Sequence, residues 1–98
     1  MPRELEVVVS NIATIDVESI RDYLSRHSAA AAEQFVFRFG QCLDTLSATP
    51  FVGPRPRPAD PDLRFFVIGK YVIYYRVTND LVWVQRVLHG SQDAQRIL

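Results

Sequence analysis

Apolar positions step by three or four through the first half of the chain and form short blocks in the last third. Leu63 to Asp93, LRFFVIGKYVIYYRVTNDLVWVQRVLHGSQD, holds three runs rich in β-branched and aromatic residues. Gly69-Lys70 ends the first, Thr78-Asn79-Asp80 the second and His89-Gly90 the third, which predicts an antiparallel meander of Leu63–Ile68, Tyr71–Val77 and Leu81–Leu88. Alternation puts Tyr71, Ile73, Tyr75 and Val77 on one face of the middle strand, with Val72, Tyr74 and Arg76 on the other. In the last strand it sets Val82, Val84, Arg86 and Leu88 against Leu81, Trp83, Gln85 and Val87.

Upstream, Leu5 to Ser10 is a short strand, and Ser10-Asn11 can cap a helix carrying Ile12, Val17, Ile20 and Leu24 to about Arg26. His27-Ser28 breaks it. A second helix runs from Ala29 to about Ser47 with a stripe of Ala32, Phe35, Phe39, Cys42 or Leu43, and Leu46, so the two helices form a hairpin. Prolines 50, 54, 56, 58 and 61 make residues 49–62 an extended connector, with a PxxP-type ligand as the alternative. Ser91 to Leu98 has room for about two helical turns. The order β–α–α–β–β–β is an α+β layer fold with a helical hairpin on a mainly antiparallel sheet and a short C-terminal helix or tail.

A chain of 98 residues is expected to be one domain, residues 1–98, and its 48% apolar content argues against disorder. Net charge is zero and the pI about 6.7, so no overall basic field advertises nucleic-acid binding. Residues 1–49 hold four cations against seven acids, and residues 50–98 seven against four. Ten of the eleven basic residues are arginine, suited to bidentate pairing with carboxylate or phosphate. An acidic partner segment is therefore as natural a ligand as RNA. Cys42 is alone, which leaves no intramolecular disulfide, and no apolar run reaches signal-peptide or membrane-spanning length. A cytoplasmic protein without membrane contact, metal or cofactor is expected.

No phosphate-binding, metal-ligand or triad motif is present. Asp16, Glu18 and Asp22 read as a solvated acidic face near a helix N-terminus. Cys42 reads as core packing and His27 as a polar junction residue. His89 admits two readings. It could order the turn into the C-terminal segment through backbone or Asp93, or act with arginines as acid and phosphate clamp in RNA cleavage by the 2′-hydroxyl. Arg64, Arg76 and Arg86 fall on successive strands. Aligned, they would form one cationic strip on the solvent face, balanced by internal acids or by an acidic ligand.

The ordered set formed by Ser10; Asp16-Val17, Ile20 and Tyr23-Leu24; Ala32 and Phe35; Leu46, Pro50 and Gly53; Leu63-Arg64; Tyr71 to Val77; and Arg86-Val87-Leu88-His89-Gly90 with Asp93 resembles the RelE/ParE superfamily of type II toxin–antitoxin toxins. The resemblance covers nearly the whole chain, and the RVLHGSQD ending is its most specific part. Asn11 departs from it, standing where many relatives have proline.

The resemblance implies one of two activities. RelE-like members are ribosome-dependent messenger-RNA endonucleases, and ParE-like members poison DNA gyrase. RelE-like nucleases are strongly basic and often carry arginine after the aromatic that opens the middle strand, where this chain has Val72. Phe65 and Phe66 stand where lysines would help hold RNA, and Gly90 and Ser91 where a catalytic arginine is expected. The resemblance thus points to the ParE-like branch, with no catalytic residues of its own; the nuclease alternative would use His89, Arg86, Arg64 and Arg76. It also implies a cognate antitoxin, itself the link to operator DNA, in a hetero-oligomer. The implied antitoxin- or target-binding residues are Arg64, Tyr71, Tyr74, Arg76, Arg86, His89, Asp93 and Arg96. A binding module without toxicity is the remaining alternative.

Overall fold

The computed structural model describes residues 4–57 and 60–92. Its elements are β1 (Glu6–Val9), α1 (Asn11–Ser25), α2 (Ala29–Ala48), β2 (Leu63–Ile68), β3 (Tyr71–Thr78) and β4 (Leu81–His89). The expected C-terminal helix, Asp93 and Arg96 lie outside the described residues. No helix among the described residues is long and apolar enough to cross a membrane.

Both helices start where a serine can meet free N–H groups. The Ser10 hydroxyl accepts from the Ala13 N–H at 3.0 Å, and that of Ser28 from the Ala31 N–H at 3.2 Å. Between them the chain reverses within three residues, as His27 and Ser28 N–H groups donate to the Leu24 carbonyl. The stripe Ala32, Phe35, Phe39, Cys42 and Leu46 is buried as its spacing predicts. Burial pushes the Cys42 thiol up to about 12, so it stays protonated and inert at neutral pH.

The sheet order is β1-β4-β3-β2. The meander is antiparallel, while β1 runs parallel to β4 and makes the sheet mixed. Its hairpins close through two-residue turns. Gly69 supplies positive φ in the first, and Asn79 and Asp80 both adopt it in the second, as tight hairpins require. Tyr71, Ile73, Tyr75 and Val77 all pack toward the helices, in agreement with the alternation.

In β4 the alternation fails partway. Tyr75 pairs with Val84 and Tyr74 with Arg86, so Gln85 is an extra residue opposite no partner. This bulge shifts the strand by one position, and the core takes Val82, Val84 and then Val87. The predicted grouping of Val84 with Arg86, and of Gln85 with Val87, is therefore corrected.

Residues 49–57 do more than span a gap. The buried Tyr75 hydroxyl accepts from the Gly53 N–H at 2.9 Å, and Arg64 Nη1 donates to the Phe51 and Gly53 carbonyls at 3.2 and 2.8 Å. Gly53 is required because a Cβ there would collide with the Phe65 carbonyl and stand 2.6 Å from the Tyr75 hydroxyl. Gly53→Ala should cost about 2–3 kcal/mol and lower Tm by roughly 10 °C; Tyr75→Phe, which only removes an acceptor, should cost about 1 kcal/mol. Thermal denaturation of the two variants checks that order.

Candidate functional site

The meander brings some predicted site residues together and disperses the rest. Arg64 pairs in register with the core residue Tyr75, whereas Arg76 pairs with Leu63, so these two arginines leave opposite faces of the sheet. The expected strip of Arg64, Arg76 and Arg86 does not form. Each guanidinium is held inside the molecule instead. Arg64 binds the two loop carbonyls and lies over the Phe51 ring, 5.1 Å from its centroid. Arg76 grips both carboxylate oxygens of Asp60, at 2.5 and 2.7 Å, and donates from Nε to Gln85 Oε1 at 3.1 Å. Arg86 makes a second bidentate pair with Asp16 at 2.8 and 3.0 Å.

Asp16 is thus no member of a solvated acidic face. Its Oδ2 also accepts from the Val87 N–H at 3.0 Å, so one carboxylate serves both a guanidinium and a backbone group beside the bulge. The pair is mostly covered, with side chains 24% and 14% exposed, so water screens it less than an ordinary surface ion pair. Nothing in the helical pattern distinguishes Asp16 from Glu18 or Asp22. Only the strand shift on β4 shows which acid meets Arg86.

Tyr74 lies on the sheet face away from the helices, its ring tilted against Phe65 at 6.4 Å. Tyr71 and His89 belong to a different place. They pair across β3 and β4 with rings edge to face at 5.5 Å, and Phe35 from α2 meets Tyr71 in the same way at 5.1 Å. His89 organises the turn that follows it. The Ser91 N–H donates to Nδ1 at 3.1 Å, the Ser91 hydroxyl lies 2.6 Å from the same nitrogen, and Gln92 Oε1 accepts from the His89 N–H at 2.7 Å. With Nδ1 accepting, the neutral ring carries its proton on Nε2. His89 thus takes part in ordering the turn, its ring through Ser91 and its backbone through Gln92.

Tyr71 and His89 form one wall of a cleft of about 780 Å³ between the helical hairpin and the β2–β3 turn. Burial raises the Tyr71 phenol above its ordinary value, so the ring faces the cleft uncharged. Its other residues include Tyr23 from the end of α1, His27 from the turn between the helices, Arg38 from α2, and Lys70 from the β2–β3 turn. Arg38, Lys70 and Tyr23 are absent from the sequence-level candidates. Arg38 looks like a helix surface residue and Lys70 like a turn former. The one available signal is that the single lysine sits beside Tyr71, in the turn facing the end of β4. No group of three or more potential metal-ligating side chains occurs among the described residues.

Residues 7–94 match the family model described as the ParE toxin of the type II toxin–antitoxin system parDE. The chain belongs to the ParE toxin family. Over 88 residues this ParE-family toxin is 34% identical to a protein named Toxin RelE2 from Caulobacter vibrioides, which spans 89% of the chain and 97% of that relative. Its fold resembles the chromosomal ParDE toxin–antitoxin system of P. aeruginosa, with a TM-score of 0.72 at 17% identity over 88% of this chain and 96% of the other. It also resembles the RelBE2 toxin–antitoxin complex of Mycobacterium tuberculosis, with a TM-score of 0.58 at 27% identity over 88% and 98%. These matches bear out the RelE/ParE superfamily and the α+β fold that the ordered residues imply.

Both ion pairs should report on folding. Asp16→Ala strands a guanidinium and the Val87 N–H, at a cost of about 2–3 kcal/mol. Adding Arg86→Met should recover part of that loss, measured by urea denaturation as a double-mutant cycle. The hydrogen bonds from Arg76 hold the Asp60 carboxyl below the usual carboxylate range. A depressed folded pKa means that the unfolded chain binds more protons in acid, so this stabilisation is complete above about pH 5 and fades below about pH 4. The gap in urea midpoint between wild type and Asp60→Asn should accordingly stay constant from neutral pH to about 5 and close as the solution is acidified further.

Proposed function

We propose that this ParE-family toxin arrests growth by binding a protein target, DNA gyrase, in the cytoplasm, and that a cognate antitoxin neutralises it. The observation that carries the reading is the fate of the three sheet arginines. A nuclease needs cations aimed at the phosphate whose charge develops in the transition state. Arg76 and Arg86 are instead locked in bidentate pairs with Asp60 and Asp16, and Arg64 caps two loop carbonyls. Re-aiming any of them would break contacts that hold α1 or the loop to the sheet. The zero net charge fits the same reading, since a ribosomal substrate rewards many cation–phosphate contacts.

The antitoxin half of the proposal is supported by the two structural relatives, the ParDE system and the RelBE2 complex, both toxin–antitoxin assemblies. A second reading, ribosome-dependent cleavage of messenger RNA, is favoured by the relative named Toxin RelE2 and by the cleft that places His89 and Tyr71 near Arg38 and Lys70. In that reading the cleft residues, not Arg64, Arg76 and Arg86, would have to do the chemistry.

Inducible expression separates the two. The gyrase reading expects filamentous cells and blocked replication with intact message, and purified toxin that inhibits gyrase supercoiling in vitro. Rapid cleavage of translated messages, abolished by His89→Ala and not by Asp16→Ala corrected for folded protein, would replace it with the nuclease reading. Growth without arrest, alongside tight antitoxin binding, would leave only a binding module.

A further inference from the structure

Two cations on the cleft rim lack what the sheet arginines possess. Among the described residues, Arg38 and Lys70 make no ion pair and no side-chain hydrogen bond. Both are exposed and both line the cleft. Arg38 Nη1 hangs over the β2–β3 turn, 3.7 Å from where a Cβ on Gly69 would sit, and Lys70 is the next residue. The described residues lining the cleft include no aspartate or glutamate, so nothing there balances the two charges. Two like charges on one rim, with no acid beside them, favour an anion that binds between them.

The rest of the lining defines what accompanies the anion. Ile20, Leu24, Phe35 and Ile68 give an apolar floor, flanked by the amphipathic rings of Tyr23 and Tyr71. A volume of about 780 Å³ is within the range of pockets that enclose several side chains' worth of ligand. We propose that this cleft seats an acidic, otherwise apolar segment of the antitoxin polypeptide, with a carboxylate held between Arg38 and Lys70 and bulky side chains on the floor below. The inference rests on the antitoxin reading above and assigns that partner a docking point and a chemistry. A polynucleotide fits less well. It would need a row of cations tracking successive phosphates, whereas this site offers two charges over an apolar floor on a protein without net positive charge.

The test uses the polypeptide encoded beside this gene, copurified with the toxin and then separated. The double charge reversal Arg38→Glu/Lys70→Glu should weaken its binding at least 100-fold by calorimetry. Thermal melting of the free toxin should not change, since both side chains are exposed. A lysine replacing one acid of the antitoxin should restore affinity to the reversed toxin and lower it for wild type. If the reversed toxin binds within threefold of wild type, the cleft assignment is overturned and the antitoxin reading stands. A wild-type toxin that fails to bind the neighbouring polypeptide overturns both. Should the reversal spare antitoxin binding but abolish binding of a single-stranded RNA decamer, the cleft is a nucleic-acid site and the carboxylate assignment is wrong.

Discussion

The extra residue at Gln85 constrains more of this molecule than any other single feature. A bulge breaks a strand's hydrogen bonding and re-aims its side chains, so the groups it releases need new partners. Here the first half of α1 and the residue before it supply them. The Ser10 hydroxyl donates to the Gln85 carbonyl at 3.0 Å while capping α1, and the Ser10 N–H donates to the Val84 carbonyl at 2.9 Å. Asp16, one and a half turns further on, takes the Val87 N–H and both bonds from Arg86. Helix α1 is thereby fixed on β4 in position and rotation, and α2 follows through the hairpin.

The functional consequence comes from how charge is distributed. Arginines on a sheet invite a reading as a binding surface, and the bulge and the proline-rich loop both consume them for internal purposes. Two cations without a counterpart, Arg38 and Lys70, lie where the hairpin tips toward the β2–β3 turn. Function in this ParE-family toxin is better sought among residues with nothing to hold than among those whose type first draws the eye. Arg38 and Lys70 are the former, Arg76 and Arg86 the latter.

Much of the architecture was legible because it is written in local chemistry. Ser10 and Ser28 mark helix starts, Gly69-Lys70 and Asn79-Asp80 mark hairpins, and the α2 stripe marks its buried face, all without reference to distant residues. What was illegible depends on long-range registration. An inserted strand residue has no compositional mark, so simple alternation misplaced Arg86 and Val87. The acid that Arg86 finds is 70 positions away, and the cleft joins residues from α1, α2, the β2–β3 turn and the end of β4. The parallel pairing of β1 with β4 was equally hidden, because a parallel partner need not be a neighbour in sequence.

The docked loop has a further effect, on what the sheet presents to other chains. Strand β2 is at the edge, where unpaired backbone groups can template another molecule's strand. The chain occupies much of that edge itself. The Leu63 N–H donates to the Asp60 carbonyl and the Phe65 N–H to the Pro54 carbonyl. Proline gives an acceptor to this contact and carries no N–H of its own, so at that position the ladder cannot be extended by a further strand. The segment thereby shields part of the β2 edge from pairing with a strand of another copy of the toxin.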